Sequence, residues 1–218
     1  MNNTETLIIN EIFYSIQGES TFAGKPCVFI RLSGCDLRCS YCDTQYAYDE
    51  GEKMTLAQIS EKVTAYNCKL VEITGGEPLL QENVYPLMRK LCGEGYEVLL
   101  ETGGQRDIAK VDERVKRIMD IKCPSSGESG KNRYENIALL NDKDEVKFVV
   151  GNEEDYRWAV RIIKKYKIND ICTVLFAPVY GVMNEKPLAE WILDDELPNV
   201  RMQLQLHKYI WPAEQRGV

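Results

Sequence analysis

Three cysteines, Cys35, Cys39 and Cys42, follow one another at the spacing C-x3-C-x2-C, with no histidine nearby and no fourth cysteine in the same stretch. Three thiolates can hold three irons of a [4Fe–4S] cube and leave the fourth iron open. A metal centre with an open position is suited to chemistry, whereas a closed set of four protein ligands is suited to structure. The spacing therefore predicts a [4Fe–4S] cluster whose open iron binds a further ligand.

The same cysteines allow two other interpretations. They could form a zinc site whose fourth ligand is a distant cysteine such as Cys27 or Cys68, or they could merely lie close together. Zinc sites usually show two C-x2-C pairs, and this chain has a single histidine, His207, so the spacing favours the cluster.

Length and composition limit the class of protein. The chain has 218 residues, 27 Lys plus Arg against 34 Asp plus Glu, and a formal charge of −7, which argues against a nucleic-acid binder. No run of about 18 apolar residues predicts a membrane span, and residues 1–6 do not resemble a secretory signal. We therefore expect one domain over residues 1–218, a cytoplasmic location, and eight reduced cysteines.

Short apolar runs alternate with helical patterns along the chain. Candidate strands are 27–32, 70–74, 97–101, 115–121, 145–150, 173–177 and 201–206, and candidate helices are 55–66, 83–93, 133–140, 153–166 and 185–194. This alternation predicts a mostly parallel sheet in an α/β fold. Six or seven strands fall short of the eight of a full barrel, so we expect a partial (incomplete) TIM-type barrel. A doubly wound sheet is the alternative, although no G-x-G-x-x-G follows the first strand.

Unusual residues follow five of these strands, where parallel α/β folds bind their ligands. They are the cysteine loop 33–45, the turn 75–78, the glycines of 102–104, the segment 122–127 and Pro178. Their shared position predicts one ligand site at this rim of the barrel.

The turn Gly75-Gly76-Glu77-Pro78 allows the backbone to approach a neighbour closely. Alone it indicates only an ordinary turn between a strand and a helix. Together with the cysteine motif it resembles the radical S-adenosylmethionine (SAM) superfamily, in which such a turn binds the amino group of the cofactor. An aromatic residue often precedes the third cysteine there, as Tyr41 does here.

Two further segments carry polar side chains in unexpected places. Gln17 and Glu19 flank Gly18, which indicates either a surface turn or a binding loop. Arg31 lies in the otherwise apolar segment 27–32, where a guanidinium needs a carboxylate from the protein or from a ligand. A polar strand face is the alternative explanation for Arg31.

Taken together, these motifs resemble the 7-carboxy-7-deazaguanine synthase family, and the match runs over nearly the whole chain. The matching segments are 13–19, 24–32, 35–44, 74–78 and 205–208, the last as Gln205-Leu206-His207-Lys208. The chain differs by continuing past Pro212 to Val218, whereas some relatives end near such a proline.

This resemblance implies an enzyme that converts 6-carboxy-5,6,7,8-tetrahydropterin to 7-carboxy-7-deazaguanine with loss of ammonia, on the route to queuosine and other 7-deazapurines. It implies a [4Fe–4S] cluster, SAM and Mg²⁺ as cofactors. The expected partners are a pterin substrate, an electron donor such as flavodoxin, and a second copy of the chain in a homodimer. No nucleic acid and no membrane are expected.

The resemblance also assigns residues. The cluster ligands are Cys35, Cys39 and Cys42 in the cluster loop 33–45, and Thr44 is the Mg²⁺ ligand. Contacts to SAM are expected from Tyr41, Gly75, Gly76, Glu77, Glu101 and Ser125. Contacts to the substrate are expected from Ile16, Gln17, Gly18 and Glu19 in the N-terminal substrate-binding segment 10–24, and from Arg31, Thr74 and His207. Thr44 could instead cap the turn after the cluster, and His207 could be a core histidine at a strand end.

Two other functions stay open at this point. An activase that installs a glycyl radical on a partner protein also combines small size with C-x3-C-x2-C, but it would not need the polar loop 17–19 or Arg31. A module of another class, either a zinc-stabilised binding protein or a one-electron carrier, would contain the metal without catalysis.

Overall fold

The computed structural model describes residues 5–218. Residues 1–4, part of the stretch that does not resemble a secretory signal, lie outside the described residues. Within the described part of the chain, no helix is both long and apolar enough to cross a membrane.

One sheet of nine strands organises the structure. The strands are β1 (Thr6–Ile16), β2 (Pro26–Leu32), β3 (Glu52–Thr55), β4 (Leu70–Gly75), β5 (Glu97–Thr102), β6 (Lys116–Asp120), β7 (Glu145–Val150), β8 (Thr173–Pro178) and β9 (Val200–Met202). They lie in the order β3-β1-β2-β4-β5-β6-β7-β8-β9. Strand β1 pairs antiparallel with β2 and β3, and every other pairing is parallel. The expectation of an open, partial barrel with a mostly parallel sheet is confirmed.

Within residues 5–218, six α-helices accompany the sheet. They are α1 (Leu56–Thr64), α2 (Val84–Gly93), α3 (Glu153–Tyr166), α4 (Ile168–Ile171), α5 (Glu185–Asp195) and α6 (His207–Ile210). Helix α1 connects β3 to β4, and α2 connects β4 to β5, so these crossovers lie on the outside of the barrel. The connections around β6 contain 3-10 turns instead, among them Pro124–Ser126 and Tyr134–Leu139.

Three sequence-based predictions differ from the structure. The segment 133–140, expected as an α-helix, forms the 3-10 helix Tyr134–Leu139. The strand expected over 201–206 is shorter, because β9 ends at Met202. His207 therefore begins helix α6 instead of standing at a strand end. The sequence also did not predict the strands β1 and β3, whose pairing depends on contacts far apart in the chain.

The two faces of the sheet have different environments because alternate side chains of a strand point to opposite sides. Val28 and Ile30 of β2 and Val71 and Ile73 of β4 are fully buried in the core formed with the helices. On the inner face, Phe29 and Leu99 belong to a second apolar cluster, which also contains Phe13, Phe22, Cys27, Leu70 and Ile118. Above this cluster the inner face becomes polar, toward the carboxyl ends of the parallel strands.

Candidate active site

A cavity of about 710 Å³ opens at the carboxyl ends of the parallel strands. Its lining includes residues from the loops after β2, β4, β5 and β6, so the segments expected at this rim share one cavity. Every site residue predicted from the sequence lines the cavity except Ser125. The lining members are Ile16, Gln17, Gly18, Glu19, Arg31, Cys35, Cys39, Tyr41, Cys42, Thr44, Thr74, Gly75, Gly76, Glu77, Glu101 and His207. A volume of this size is typical of a pocket for small molecules.

The three cysteines of the motif all line this cavity and are partly exposed. Their loop is held by contacts to the segments after β5 and β6. Asp36 accepts hydrogen bonds from Gln105 (2.7 Å) and Arg106 (2.7 Å), and the Ser40 hydroxyl donates to the carbonyl of Ser125 at 2.8 Å. Ser125 therefore contacts the cluster loop through its carbonyl. Its amide and its hydroxyl both donate hydrogen bonds to the carboxylate of Asp155.

The candidate fourth ligands for zinc lie elsewhere. Cys27 is fully buried in the inner apolar cluster, and the Cys68 thiol lies 3.4 Å from the carbonyl of Pro26. Neither lines the cavity. Across residues 5–218, no three Cys, His, Asp or Glu side chains converge on the position of a single metal ion. Three separate thiols facing one cavity fit a cluster better than a zinc site with four ligands.

The glycines of the turn after β4 bring that turn onto the start of the cluster loop. A Cβ at Gly75, whose φ is +137°, would lie 2.2 Å from the carbonyl oxygen of Leu32. A Cβ at Gly76 would lie 2.1 Å from the carbonyl oxygen of Gly34 and 3.0 Å from the Cβ of Cys35. The two motifs can therefore meet backbone to backbone only because neither glycine has a side chain.

Glu77 lies directly after these glycines and is fully buried. Its carboxylate accepts hydrogen bonds from the amides of Leu79 (3.0 Å) and Gly103 (2.8 Å) and from the Thr102 hydroxyl (2.9 Å). Burial raises the pKa of Glu77, although these hydrogen bonds oppose the shift. The structure thus gives Glu77 a clear part in holding the turn against the end of β5.

The polar loop between β1 and β2 packs against the C-terminal part of the chain. The Leu206 amide donates to the carbonyl of Gly18 at 2.9 Å, and a Cβ at Gly18 would lie 2.2 Å from Nδ1 of His207. Gln17 donates through Nε2 to the buried carboxyl of Glu72. Gln17 also accepts from the amide of Glu19 at 3.0 Å, so its side chain fixes the loop from both ends.

Arg31 is paired within the protein and still lines the cavity. Its Nε donates to Oε1 of Glu11 at 2.7 Å, and the Tyr46 hydroxyl donates to the same oxygen at 3.1 Å. Burial opposes the charge of Arg31, but Tyr46 and Glu11 outweigh it and raise its pKa, so the guanidinium remains charged. Since this bond uses only one edge of the planar fork, the terminal nitrogens can bind a ligand carboxylate.

Thr44 precedes the 3-10 helix Gln45–Tyr48 at its N-cap position, but its side chain makes no capping hydrogen bond. The alternative role of a turn-capping hydroxyl is therefore not supported, and Thr44 lines the cavity. The Thr44 Oγ1 lies 3.8 Å from the Cys42 sulfur, which places it beside the third cysteine of the motif.

Sequence reasoning missed several charged residues of this cavity. Lys147 on β7 contacts the carboxylates of Glu19 (2.9 Å), Glu101 and Asp120 (3.5 Å) with only 5% of its side chain exposed. Burial opposes ionisation of Glu19, but the charges of Lys147 and His207, together with the hydrogen bonds from Lys147 and Gln205, outweigh it and lower the pKa of Glu19 to about 2. Glu72 is the opposite case, because burial raises the pKa of its carboxyl well above the ordinary value.

The C-terminal residues close one side of the cavity, a contribution that the motifs did not indicate. Lys208 pairs with Asp43 of the cluster loop at 2.5 Å, which ties α6 to that loop. Residues 213–218 line the cavity as well. Among them, Arg216 pairs with Glu50 at 2.7 Å and its guanidinium lies 3.8 Å from the ring centre of Tyr46.

Comparisons with known proteins agree with this geometry. The model of the radical SAM superfamily matches residues 29–194. The chain is 51% identical to the 7-carboxy-7-deazaguanine synthase of Chlorobaculum tepidum, with 100% of both chains covered. The chain belongs to the 7-carboxy-7-deazaguanine synthase family of radical SAM enzymes.

Two more comparisons support the family and the fold. The 7-carboxy-7-deazaguanine synthase of Koribacter versatilis is 42% identical over 96% of this chain and 99% of its own. The crystal structure of QueE from Escherichia coli superimposes with a TM-score of 0.78 at 22% identity, covering 93% of this chain and 95% of that one. That structural likeness shows the shared fold, an open α/β barrel of the radical SAM type.

Family membership means that the enzyme uses a [4Fe–4S] cluster and SAM, and the residues present fit both. Three partly exposed thiols on one loop face the cavity, as ligands of three irons must. The turn at Gly75 and Gly76 lies against Cys35, so a ligand of the open iron would touch both motifs. The volume of about 710 Å³ leaves room for a cofactor and a substrate side by side.

Proposed function

We propose that this enzyme converts 6-carboxy-5,6,7,8-tetrahydropterin to 7-carboxy-7-deazaguanine with release of ammonia. The observation that carries this proposal is the shared cavity, in which the cysteine motif faces the polar side chains of the family's substrate-binding segment. When bound, the cluster and SAM supply the hydrogen abstraction that starts the ring contraction, and the protein positions the reactants and excludes water.

In this proposal Cys35, Cys39 and Cys42 hold the cluster. The backbone of the turn at Gly75 and Gly76, which lies beside Cys35, would hold SAM next to the cluster. Tyr41 lines the cavity, and its hydroxyl donates to the carbonyl of Val149 at 3.4 Å, which fixes its position there. We propose that Tyr41 would pack near the adenine of SAM. Glu101 and Ser125 are further proposed contacts of SAM, and Glu77 supports the turn. The carbonyl of Ser125 also accepts a hydrogen bond from Ser40 of the cluster loop.

The substrate is proposed to occupy the opposite wall of the cavity. Arg31 binds the substrate carboxylate through the guanidinium nitrogens that Glu11 leaves free. Glu19 accepts hydrogen bonds from the ring N–H groups of the pterin, a role that suits a carboxylate held ionised. Contacts to the same substrate are proposed for Ile16, Gln17, Gly18, Thr74 and His207, all of which line the cavity.

Thr44 is proposed to bind Mg²⁺ together with water and substrate oxygens. Its hydroxyl lacks a capping hydrogen bond and lines the cavity, and a hard cation prefers such oxygen ligands. Replacement of Thr44 by Val removes the ligand oxygen with little change in volume. We expect the variant to lose the stimulation of activity by Mg²⁺ while Thr44→Ser keeps it.

The remaining partners belong to the proposal as well. A one-electron donor such as flavodoxin reduces the cluster. A homodimer is supported by large apolar side chains on the surface, with Val182 and Leu193 each 73% exposed. A cytoplasmic location is supported by eight cysteines without a disulfide partner.

The decisive experiment is an anaerobic assay of the reconstituted enzyme with the pterin substrate, SAM, Mg²⁺ and a reductant. We expect 7-carboxy-7-deazaguanine and ammonia in equal amounts, and a Cys39→Ala variant should fold but form no product. If 5′-deoxyadenosine appears only when a partner protein is added and no deazapurine forms, the glycyl-radical activase is the correct function instead. Cluster-bearing protein that cleaves no SAM under any condition would indicate the electron carrier.

A further inference from the structure

Lys147 is a buried cation that no sequence motif and no role proposed above explains. It lies on β7 at the base of the cavity, and its side chain is 5% exposed. Its ammonium group contacts three carboxylates from three different parts of the chain. These are Glu19 at 2.9 Å, Glu101, and Asp120 at 3.5 Å.

Each partner of Lys147 has a second contact that fixes its direction. Oε2 of Glu101 accepts from the Thr74 hydroxyl at 3.0 Å, and Oε1 of Glu19 accepts from Gln205 at 3.1 Å. Asp120 pairs with Lys122 as well as with Lys147. Lys147 is therefore the group shared by the loop after β1, by β5 and by β6.

The surroundings of Glu19 show why this lysine matters. Four charged or titratable groups interact directly with Glu19, namely Lys147 from β7, His207 from α6, Glu72 from β4 and Asp43 from the cluster loop. Glu101 from β5 and Asp120 from β6 share Lys147 with Glu19. The other cations of the cavity have partners of their own, since Lys122 pairs with Asp120 and Lys208 with Asp43.

Without Lys147, Glu19 would lose its direct ion pair and would share the site with the acidic side chains Glu72, Asp43, Glu101 and Asp120. Burial and neighbouring carboxylates both favour the protonated form of an acid. A protonated Glu19 has lost the full charge with which it accepts N–H groups of a ligand.

We propose that Lys147 is a positioning residue that holds the carboxylate of Glu19 as a hydrogen-bond acceptor directed into the cavity, so that substrate affinity does not change with pH near neutrality. This inference rests on the proposed function in one respect, namely that the pterin substrate occupies this cavity. The ligand feature that Glu19 recognises is a ring edge with adjacent N–H donors.

The test is the pH dependence of KM for 6-carboxy-5,6,7,8-tetrahydropterin between pH 6 and 8.5, measured on the holoenzyme with Lys147→Met. We expect a flat KM for the unaltered enzyme. The variant should show a KM that rises as the pH falls, by about tenfold per pH unit below the pKa of the freed carboxylate. Lys147→Arg should restore the flat profile, because the positive charge is retained.

Lys116→Met is the matched control. Lys116 also forms a partly buried ion pair, at 2.6 Å from Glu145, and it contacts the same loop through the Thr21 hydroxyl at 2.8 Å. It lies outside the cavity lining and does not touch Glu19. We expect this variant to lose stability without any change in the pH profile of KM.

Calorimetric titration of 7-carboxy-7-deazaguanine into the same holoenzymes provides a readout besides turnover, and its Kd should follow the KM. A flat profile in Lys147→Met, or the same slope in Lys116→Met, would overturn the inference. If Lys147→Met does not fold, the double variant Lys147→Met/Glu101→Gln removes one carboxylate with the lysine and should still show the slope. Absence of product from the unaltered enzyme would instead reject the proposed function.

Discussion

Gly18 occupies a position with no room for a side chain. Its Cβ would lie 2.2 Å from Nδ1 and 2.9 Å from the backbone amide of His207, so an added methyl group must displace either the loop or α6. We expect Gly18→Ala to raise KM for the pterin substrate by roughly tenfold or more, since both Glu19 and His207 would move. Steady-state kinetics on the reconstituted enzyme measure this effect.

Gly93→Ala provides the comparison for Gly18. Gly93 is the last residue of α2, and an added Cβ there meets nothing within 4 Å. Because alanine is a better helix former than glycine, this variant should keep its KM and gain a few tenths of a kcal/mol in stability. An unchanged KM in Gly18→Ala would show that the contact with His207 is not part of the substrate site.

Glu72 should make the stability of the folded protein depend on pH. Burial, followed by the nearby Glu101 and Glu19, raises its pKa in the folded state above the ordinary value of 4.5. The folded protein then holds this proton more tightly than the unfolded chain, so its stability falls as the pH rises from about 4.5 toward the folded pKa. Glu72→Gln should therefore gain more in Tm at pH 8 than at pH 5.

Thermal unfolding of the cluster-free protein at both pH values measures this difference, and roughly 2–4 °C corresponds to 1 kcal/mol in a chain of this size. Glu97→Gln, at the exposed start of β5, is the control and should shift Tm equally at both pH values. A Glu72→Gln variant that is less stable at pH 8 than at pH 5, relative to the unaltered protein, would contradict the prediction.

The sequence predicted the cysteines, the glycine turn and the polar loop of this site, but not Lys147 or Glu72. Motif residues are recognisable because their spacing is unusual within a loop. Lys147 lies in Glu-Val-Lys-Phe-Val-Val, where alternation normally indicates that the polar side faces solvent. In this open barrel that side faces the interior, and only the folded sheet shows that Lys147 and Glu72 lie beside Glu19.

At the scale of elements, helix α1 begins with a capping box formed by Thr55 and Gln58. The Thr55 hydroxyl accepts from the amide of Gln58 at 3.2 Å, and the Gln58 side chain accepts from the amide of Thr55 at 2.8 Å. Thr55→Ala should cost about 1 kcal/mol of unfolding free energy. Chemical denaturation measures this cost, and Thr55→Ser should retain most of the stability.

Because Thr55 lies outside the cavity lining, its replacement should leave KM and kcat unchanged. If the Thr55→Ala variant loses activity under conditions in which it is fully folded, α1 influences the site from a distance.

Elements with local signals were predictable and elements without them were not. Helix α3 has its N-cap Asn152, three acidic residues in the first turn and two lysines in the last, all visible in the sequence. The 3-10 helix Tyr134–Leu139 has no side-chain cap, and its apolar residues do not distinguish it from an α-helix. Strand β3 has only four residues and depends on β1 for its pairing.

At the scale of the molecule, the site is assembled from both ends of the chain. The loop after β1 and the α6 region meet through Gly18 and Leu206, and Lys208 connects the latter to the cluster loop. The parallel strands supply a rigid base, while loops and the C-terminal residues form much of the rest of the cavity wall. The barrel is thus completed at its open side by segments that are not part of the parallel sheet.

Arg216 connects residues 213–218 to this assembly. Its guanidinium contacts Glu50 and lies over the ring of Tyr46. The Tyr46 hydroxyl donates to Glu11, which is the ion-pair partner of Arg31. Arg216→Ala should free this segment from the mouth of the cavity and raise KM for the substrate a few-fold, with little change in kcat at saturation. Hydrogen exchange should become faster in residues 213–218 and around Tyr46, but not in α1.

Exchanging the charges of Glu50 and Arg216 tests whether their ion pair, and not some other effect of replacing Arg216, holds the segment. Glu50→Arg alone should loosen the segment as Arg216→Ala does, because like charges then meet at the contact. The double variant Glu50→Arg/Arg216→Glu restores the opposite charges and should recover most of the exchange protection. It should recover KM only partly, since glutamate cannot stack on Tyr46 as the guanidinium does. Equal exchange rates in all four proteins would show that residues 213–218 are held by other contacts.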